Sequence, residues 1–462
     1  MDSGDSEMVS RLTVTLAGSP VILSASPSAL VVEQNGKLKA KYTWWNVLWA
    51  ESYETRVTLS LIEYHKEASK LVSFTATVSE AERAAALLFT QYVMENAYKD
   101  TKPRRRLRIF VNPVGGKGKG TSIYLERVKP IFEAAHCGID TTITERAHHA
   151  LEVTRDMPLN ADCIVVLSGD GLLHEVINGL AERPDAEEAL ATMPLAPIPT
   201  GSANGTCVNL LGKIDGFDVA MACVNAIKGR PMKLDLCLVT QKSSRTWSFM
   251  SQAMGLMADV DLGTEHLRWM GDARFMVGFL RELWALKRCP VTMEIKVVAE
   301  DKEQMVQQWK STRSSGERTR ATNGVLGKPP STSEWVTLDK PILYFYAGKM
   351  PYVARDLMQF PLSVPGDGTI DLAIQEVTSR WTLLKAIDGA DRGQQIYIPS
   401  QRYYKVEAYR VTPLVDDANV SIDGEKYPCE PFEVQVRKGM ANIMSPSGSF
   451  VTDFSGINEK WK

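Results

Sequence analysis

Asp170 stands between two glycines in the run Ser168-Gly169-Asp170-Gly171. Ahead of it lie Cys163, Ile164, Val165, Val166 and Leu167, an apolar run that reads as a buried parallel strand. Behind it, Leu172, Leu173, Val176, Ile177 and Leu180 recur at helical spacing. The four residues therefore form a tight turn from strand to helix. Glycines let such a turn bend sharply and approach a ligand closely. Its amides lie at a helix N-terminus, where phosphate binds well. One carboxylate beside a phosphate cradle points to phosphoryl transfer, in which a protein mainly positions its partners and neutralises charge.

Two further turns have the same character. Leu107–Val111 reads as a strand that opens into Asn112-Pro113-Val114-Gly115-Gly116-Lys117-Gly118-Lys119-Gly120. The spacing is not that of a P-loop, because Lys119 is followed by glycine rather than Ser or Thr. Pro199-Thr-Gly201-Ser202-Ala203-Asn204-Gly205 closes a third short apolar strand. In doubly wound folds the carboxyl ends of the strands share one edge, so all three turns can meet in one crevice.

The whole chain bounds what this crevice can serve. Its 462 residues allow two or three domains, and 44% hydrophobic residues are ample for their cores. A net charge of −2 gives no general attraction to nucleic acid, which is not expected as a partner. Seven dispersed cysteines with no C-x-x-C pair argue for a reducing compartment and against a disulfide framework or zinc site. The acidic, polar start and the absence of an apolar run near ~18 residues predict a cytoplasmic protein, with peripheral association with intracellular or plasma membranes.

Residues 1–100 alternate β-prone runs with turns and end in an amphipathic helix from Ser79, a pattern similar to a pleckstrin-homology-like module. Trp44, Trp45 and Trp49 fall there as core residues or, alternatively, as membrane contacts. Lys102, Arg104, Arg105, Arg106 and Arg108 read as a solvated linker, with lipid head groups as the alternative partner. Residues 104–230 read as a doubly wound α/β nucleotide-binding domain, and 231–450 as an antiparallel β-sandwich. Within the latter, 301–333 is polar and is expected to be a disordered insertion. Phe275, Met276, Phe279, Leu280, Leu283 and Trp284 form an apolar helical stripe, suited to core packing or to lining an alkyl pocket.

Taken together, these motifs resemble the sphingosine (sphingoid long-chain base) kinases of the diacylglycerol kinase catalytic superfamily. The resemblance rests on Ser168–Leu180, on Asn112–Lys119, on Thr144-Glu145-Arg146, on Pro199–Asn204, on Met257–Leu262 with the segment through Arg274, and on Asp423-Gly424-Glu425. It implies ATP-dependent phosphorylation of the primary hydroxyl of a long-chain base, with ATP and Mg²⁺ as cofactors. It implies Asp170 as the base. Nucleotide contacts are implied at Asn112, Pro113, Val114, Gly115, Gly116, Lys117, Thr144, Glu145, Arg146, His148, Glu175, Gly201, Ser202, Ala203, Arg268, Arg274, Asp423, Gly424 and Glu425. The lipid head group falls to Ser168, Gly169 and Asp261, a carboxylate being the natural partner of an ammonium. Asp259 joins Asp261 on one face if that segment is a strand. Asp170 and Asp423 are candidates for Mg²⁺, whose ligands the sequence leaves unassigned, as it does the oligomeric state. Ala203 replaces a glycine of the family pattern and is tolerated there if its φ is negative. A diacylglycerol or ceramide kinase, or a non-catalytic lipid-binding protein, remains the alternative.

Overall fold

The computed structural model describes residues 10–66, 68–201, 203–264, 267, 270, 273–314 and 334–458, with backbone alone at 116, 117, 273, 313 and 314. Seven N-terminal strands, β1 (Ser10–Leu16) to β7 (Lys70–Thr77), form an antiparallel sheet in which β1 bridges β2 and β7. Helix α1 (Arg83–Ala97) closes it, burying Ala86, Phe89, Val93 and Ala97. Its lead-in turn carries a capping box between Ser79 and Glu82, which satisfies amides that the helix start leaves unpaired.

The tryptophans of this module pack inward. Trp49 is buried and stacked on His136, with ring centroids 4.3 Å apart, and the Arg104 guanidinium lies 4.7 Å from the centroid of the Trp49 ring. Trp44 and Trp45 pack against the same core. The basic cluster is in part the solvated linker expected, with Lys102, Arg104 and Arg106 exposed, and in part a seam. Arg105 is buried and donates to the carbonyls of Ala226 and Gly229, while Lys102 pairs with Asp162 at 2.7 Å. The two carbonyls give the buried Arg105 guanidinium partners that water would otherwise have to supply.

The α/β half is a parallel sheet in the order Leu195–Pro199, Cys163–Ser168, Arg106–Val111, Gly138–Ile143. We number these strands β8 (Arg106–Val111), β9 (Gly138–Ile143), β10 (Cys163–Ser168) and β11 (Leu195–Pro199). Both faces are covered, which is why the strands read as continuous apolar runs. Leu107, Ile109, Val111, Cys163, Val165 and Leu167 share a core with the N-terminal module, and Phe110, Ile164 and Val166 face the opposite core. The helices that position the site are α2 (His149–Asp156), α3 (Asp170–Ala181), α4 (Gly205–Asp215) and α5 (Val219–Lys228).

The remaining strands are antiparallel, and their inner faces enclose one cluster containing Val239, Ile295, Phe345, Leu372, Tyr409 and Val434. The long strand β12 (Arg230–Gln241) pairs along its length with the C-terminal strand Phe432–Ser445. That last strand also pairs in parallel with β11 through Leu195 and Ile443, and antiparallel with Gln401–Pro413. One sheet thus runs through both halves.

Three helices lie on this half: α6 (Leu256–Leu262), α7 (Ala273–Ala285) and α8 (Lys302–Ser314). Helix α8 corrects the expectation of disorder over the first part of 301–333. Its polar surface hides buried Met305 and Val306, and Lys302 donates to three carbonyls, those of Ile396, Ile398 and Gln401. The remainder of that insertion, 315–333, lies outside the described residues. A fourth helix, α9 (Arg380–Ile387), packs beside α7. Among the described residues, no helix is long and apolar enough to cross a membrane.

Candidate active site

The three turns do meet. The Asn112 amide accepts the Val114 N–H at 3.1 Å and donates to the Ser168 hydroxyl at 3.3 Å, tying the first turn to the second. The Thr200 N–H donates to the Ser168 carbonyl at 3.2 Å, tying the second to the third. Between the second and third turns the backbones touch. A Cβ on Gly201 would lie 2.4 Å from the Gly169 Cα, so only glycine fits there. In the third turn the left-handed φ, +46°, belongs to Asn204, not Ala203. Asn204 holds that shape by exchanging hydrogen bonds with Gly201 through both amide atoms. Alanine at 203 is therefore free of the strain that a left-handed residue other than glycine bears.

Asp170 does not cap its own helix. Its Oδ2 accepts the Gly205 N–H at 2.9 Å, and its Oδ1 accepts the Thr206 N–H and hydroxyl at 3.0 and 2.6 Å. The carboxylate thus caps α4, across the cleft from α3. An ionised carboxylate has about four acceptor positions, so three donors leave one, on Oδ2. Burial raises the Asp170 pKa, and the Thr206 hydroxyl, the Thr206 amide and the Gly205 amide oppose that rise.

Asp423 has the opposite fate. Its φ is +51°, and its carboxylate accepts from His174 Nδ1, the Ser248 hydroxyl and the amides of Phe249, Met250 and Ser251. Five donors exhaust its acceptor positions, which corrects its candidacy as a Mg²⁺ ligand. It instead staples the closing hairpin to α3 through His174, whose Nε2 lies 3.1 Å from the Tyr427 hydroxyl. Beside it, Glu425 reaches toward Gly171, where an added Cβ would lie 2.9 Å from Oε1.

The segment around Asp261 is helical, which corrects the strand on which Asp259 and Asp261 would share a face. Two residues apart on a helix, they diverge by about 200°. Asp259 turns to Asn419 at 2.7 Å. Asp261 accepts the Ser421 hydroxyl at 3.0 Å and faces the cleft, with the Arg274 guanidinium 3.9 Å away. Arg274 is itself buried and stacks on Phe275 at 4.2 Å.

All of this surrounds a single cleft of about 1550 Å³. Its walls bring together Asn112, Val114, Gly115, Ser168, Gly169, Asp170, Glu175, Gly201, Ala203, Asp261, Arg274, Asp423, Gly424 and Glu425. A second arm is apolar, with Val260, Phe275, Phe279, Leu357, Leu383 and Ile387 among its residues. Pro113, Thr144, Glu145, Arg146 and His148 are not brought to its wall. They follow β8 and β9 at the same sheet edge, and the Arg146 guanidinium is held by both oxygens of Glu152 instead. Ser202 and Arg268 lie outside the described residues, as do the side chains at 116 and 117.

The comparisons with known proteins agree on a family. The model of the diacylglycerol kinase catalytic domain matches residues 106–239. Sphingoid long chain base kinase 4 of Schizosaccharomyces pombe is 33% identical over 446 residues, spanning 95% of this chain and 93% of its own length. The chain belongs to the sphingoid long chain base kinase family. Sphingosine kinase 1 of Arabidopsis thaliana is 30% identical, spanning 74% of this chain and 76% of its own length. Sphingosine kinase 1 of Homo sapiens is 29% identical, over 72% of this chain and 88% of its own length. A Bacillus anthracis crystal structure named for diacylglycerol kinases superposes with a TM-score of 0.54 at 16% identity, covering 75% of this chain and 97% of its own, a likeness of fold alone.

This lipid kinase takes ATP as its phosphate donor. Sequence reasoning missed Gly205 and Thr206, which hold its central carboxylate. The one local signal was a Thr in the first turn of a helix opening on Asn-Gly. Nothing in the sequence says that the oxygen those donors need is 35 and 36 residues away.

Proposed function

We propose that the kinase phosphorylates the primary hydroxyl of a sphingoid base, sphingosine or sphinganine, with Asp170 as the base. The observation that carries this reading is one cleft holding Asp170 and Asp261 together with the glycine turns and an apolar arm. The glycine turns suit phosphates, Asp261 suits the ammonium, and the apolar arm suits the alkyl chain. The lipid oxygen forms its bond to the γ-phosphorus as the bond from phosphorus to the β-bridging oxygen breaks. ADP leaves, and the hydroxyl proton passes to the open position on Asp170 Oδ2. Arg274 adds positive charge on the nucleotide side.

The residues present also fit Mg²⁺. Glu175 lines the cleft and carries a buried Oε2 without a hydrogen-bond partner. Glu175 is the carboxylate that would hold the ion, which usually arrives on nucleotide phosphates and keeps several waters. When bound it neutralises phosphate charge.

The mouth of the apolar arm supports a peripheral membrane setting. Trp284 and Trp381 are 83% and 80% exposed, on adjacent helices α7 and α9 whose other faces line the cleft. Met276, Val277 and Leu280 extend the same exposed apolar surface. Such a surface suits a bilayer interface, from which a long-chain base would enter. The test of function is phosphate transfer from γ-labelled ATP to sphinganine, diacylglycerol and ceramide. Transfer to sphinganine is expected. Transfer to diacylglycerol with none to sphinganine would overturn the reading, because neither diacylglycerol nor ceramide carries the amine that Asp261 is placed to meet.

A further inference from the structure

Asn209 lies one turn along α4 from Gly205 and is wholly buried. Its side-chain amide bonds main chain on two sides. Nδ2 donates to the Gly205 carbonyl at 2.8 Å and to the Tyr352 carbonyl at 2.7 Å, while Oδ1 accepts the Tyr352 N–H at 2.8 Å. The Gly205 carbonyl shares one peptide unit with the Thr206 N–H, which donates to Asp170 Oδ1 at 3.0 Å. That unit is planar, so its carbonyl and its N–H point opposite ways and turn together. A donor on the carbonyl therefore fixes where the N–H points. Bonds linked in such a chain also strengthen one another. Asn209, the peptide and Asp170 form one chain of this kind.

The far side of Asn209 is anchored. Tyr352 is buried, and the next residue, Val353, lines the cleft. The Val353 carbonyl also crowds Gly205, where an added Cβ would lie 3.1 Å from it. Further along, α4 is broken at Gly212, whose φ is +89°, and the Asn209 carbonyl accepts the Val451 N–H at 2.8 Å. The pair of bonds to Tyr352 thus fixes the amide, and the amide fixes the peptide. We propose that Asn209 is a positioning residue for Asp170, holding the Gly205–Thr206 peptide so that its N–H keeps the carboxylate turned for phosphate transfer. This rests on the reading of Asp170 as the base of a sphingoid base kinase. Asn225 in α5 is the contrast: it is as deeply buried, but its amide donates to the Met444 carbonyl instead.

A helical serine can donate to the carbonyl four residues back, yet it is too short to pair with both main-chain atoms of Tyr352. Asn209→Ser therefore keeps the bond to Gly205, and Asn209→Ala loses it. The experiment measures single-turnover transfer of γ-labelled phosphate from ATP to sphinganine in the full-length enzyme, together with both KM values. Asn209→Ala should slow transfer by about 10- to 100-fold, the scale for a displaced catalytic group. Both KM values should hold within about twofold. Asn209→Ser should recover most of the lost rate. Asn225→Ala should lower Tm with transfer unchanged. An unchanged rate in Asn209→Ala, a serine variant as slow as the alanine one, or an equal loss from Asn225→Ala would overturn the inference. If Asn209→Ala fails to fold, the serine variant decides: a loss under about threefold supports the proposal and a larger one overturns it. An unmodified enzyme that transfers no phosphate to sphinganine would instead overturn the kinase reading.

Discussion

Thr206 gives Asp170 both its amide and its hydroxyl, at 3.0 and 2.6 Å on the same oxygen. The second turn therefore supplies the acid, and the helix that begins after the third turn tunes it. Burial raises the Asp170 pKa above the ordinary value of 3.8, and the Thr206 hydroxyl is the largest effect opposing that rise. A base works only when unprotonated, so turnover should fall as pH drops through a pKa higher than that of an ordinary aspartate. Thr206→Val removes the hydroxyl and should move this acid limb to still higher pH. The pH dependence of kcat checks it; an unmoved limb would show that another group titrates.

Asp170→Asn should cost roughly 10²- to 10⁴-fold in kcat, the usual contribution of a general base. Nucleotide binding should persist, because the first and third glycine turns, which suit phosphate, do not contain this carboxylate. Single-turnover phosphate transfer alongside equilibrium ATP binding would separate the two effects.

Asp261→Asn should raise the KM for the long-chain base by roughly 10- to 100-fold, the range for losing a hydrogen bond to a charged group. The KM for ATP should stay within about twofold. A change confined to ATP would place Asp261 with the nucleotide instead of the lipid head.

Gly201→Ala forces a Cβ to within 2.4 Å of Gly169 Cα and 2.7 Å of its nitrogen, both backbone atoms. One turn must move away from the other. Overpacking of this kind costs about 1–3 kcal/mol, and here it should appear as weaker ATP binding and a lower Tm.

Lys228 joins the N-terminal module to the nucleotide half. It is buried, donates to the carbonyls of Trp44 and Val47, and sits 4.6 Å over the Tyr98 ring. Burial pushes its pKa down to about 7 from 10.5. Unfolding therefore takes up a proton between those values. The associated stability is present in full above 10.5 and is lost as pH falls through about 7. Within that window the unmodified enzyme should gain about 1.4 kcal/mol per pH unit relative to Lys228→Met. Chemical denaturation at pH 7, 8 and 9 measures the difference, and parallel pH profiles for the two proteins would exclude it.

The parts of the site legible in the sequence are those that local chemistry dictates. Glycine turns at the ends of apolar strands announce themselves, and parallel topology then brings them to one edge. The Asp170–Thr206 and His174–Asp423 bonds are different, since their partners come from distant parts of the chain. Asp261 was assigned to the cleft, yet its element was ambiguous. Met257-Ala-Asp-Val-Asp-Leu262 is short enough to fit either period, and its buried residues Leu256, Ala258 and Val260 alternate as a strand's would although the segment is helical. Helix α8 was hidden by its polarity, because its order comes from Met305, Val306 and the anchoring of Lys302, not from an apolar face. Arg105 looked solvated for want of any sign that two carbonyls awaited it.

The strand Phe432–Ser445 belongs to both halves at once: Ile443 pairs with the parallel α/β sheet, and Val434 pairs with Tyr409 in the antiparallel sheet. A hinge between two lobes would have to bend this strand and break its long pairing with β12. The enzyme is thus built without a clamshell. Helices α7 and α9, which line the cleft, are not part of that shared strand.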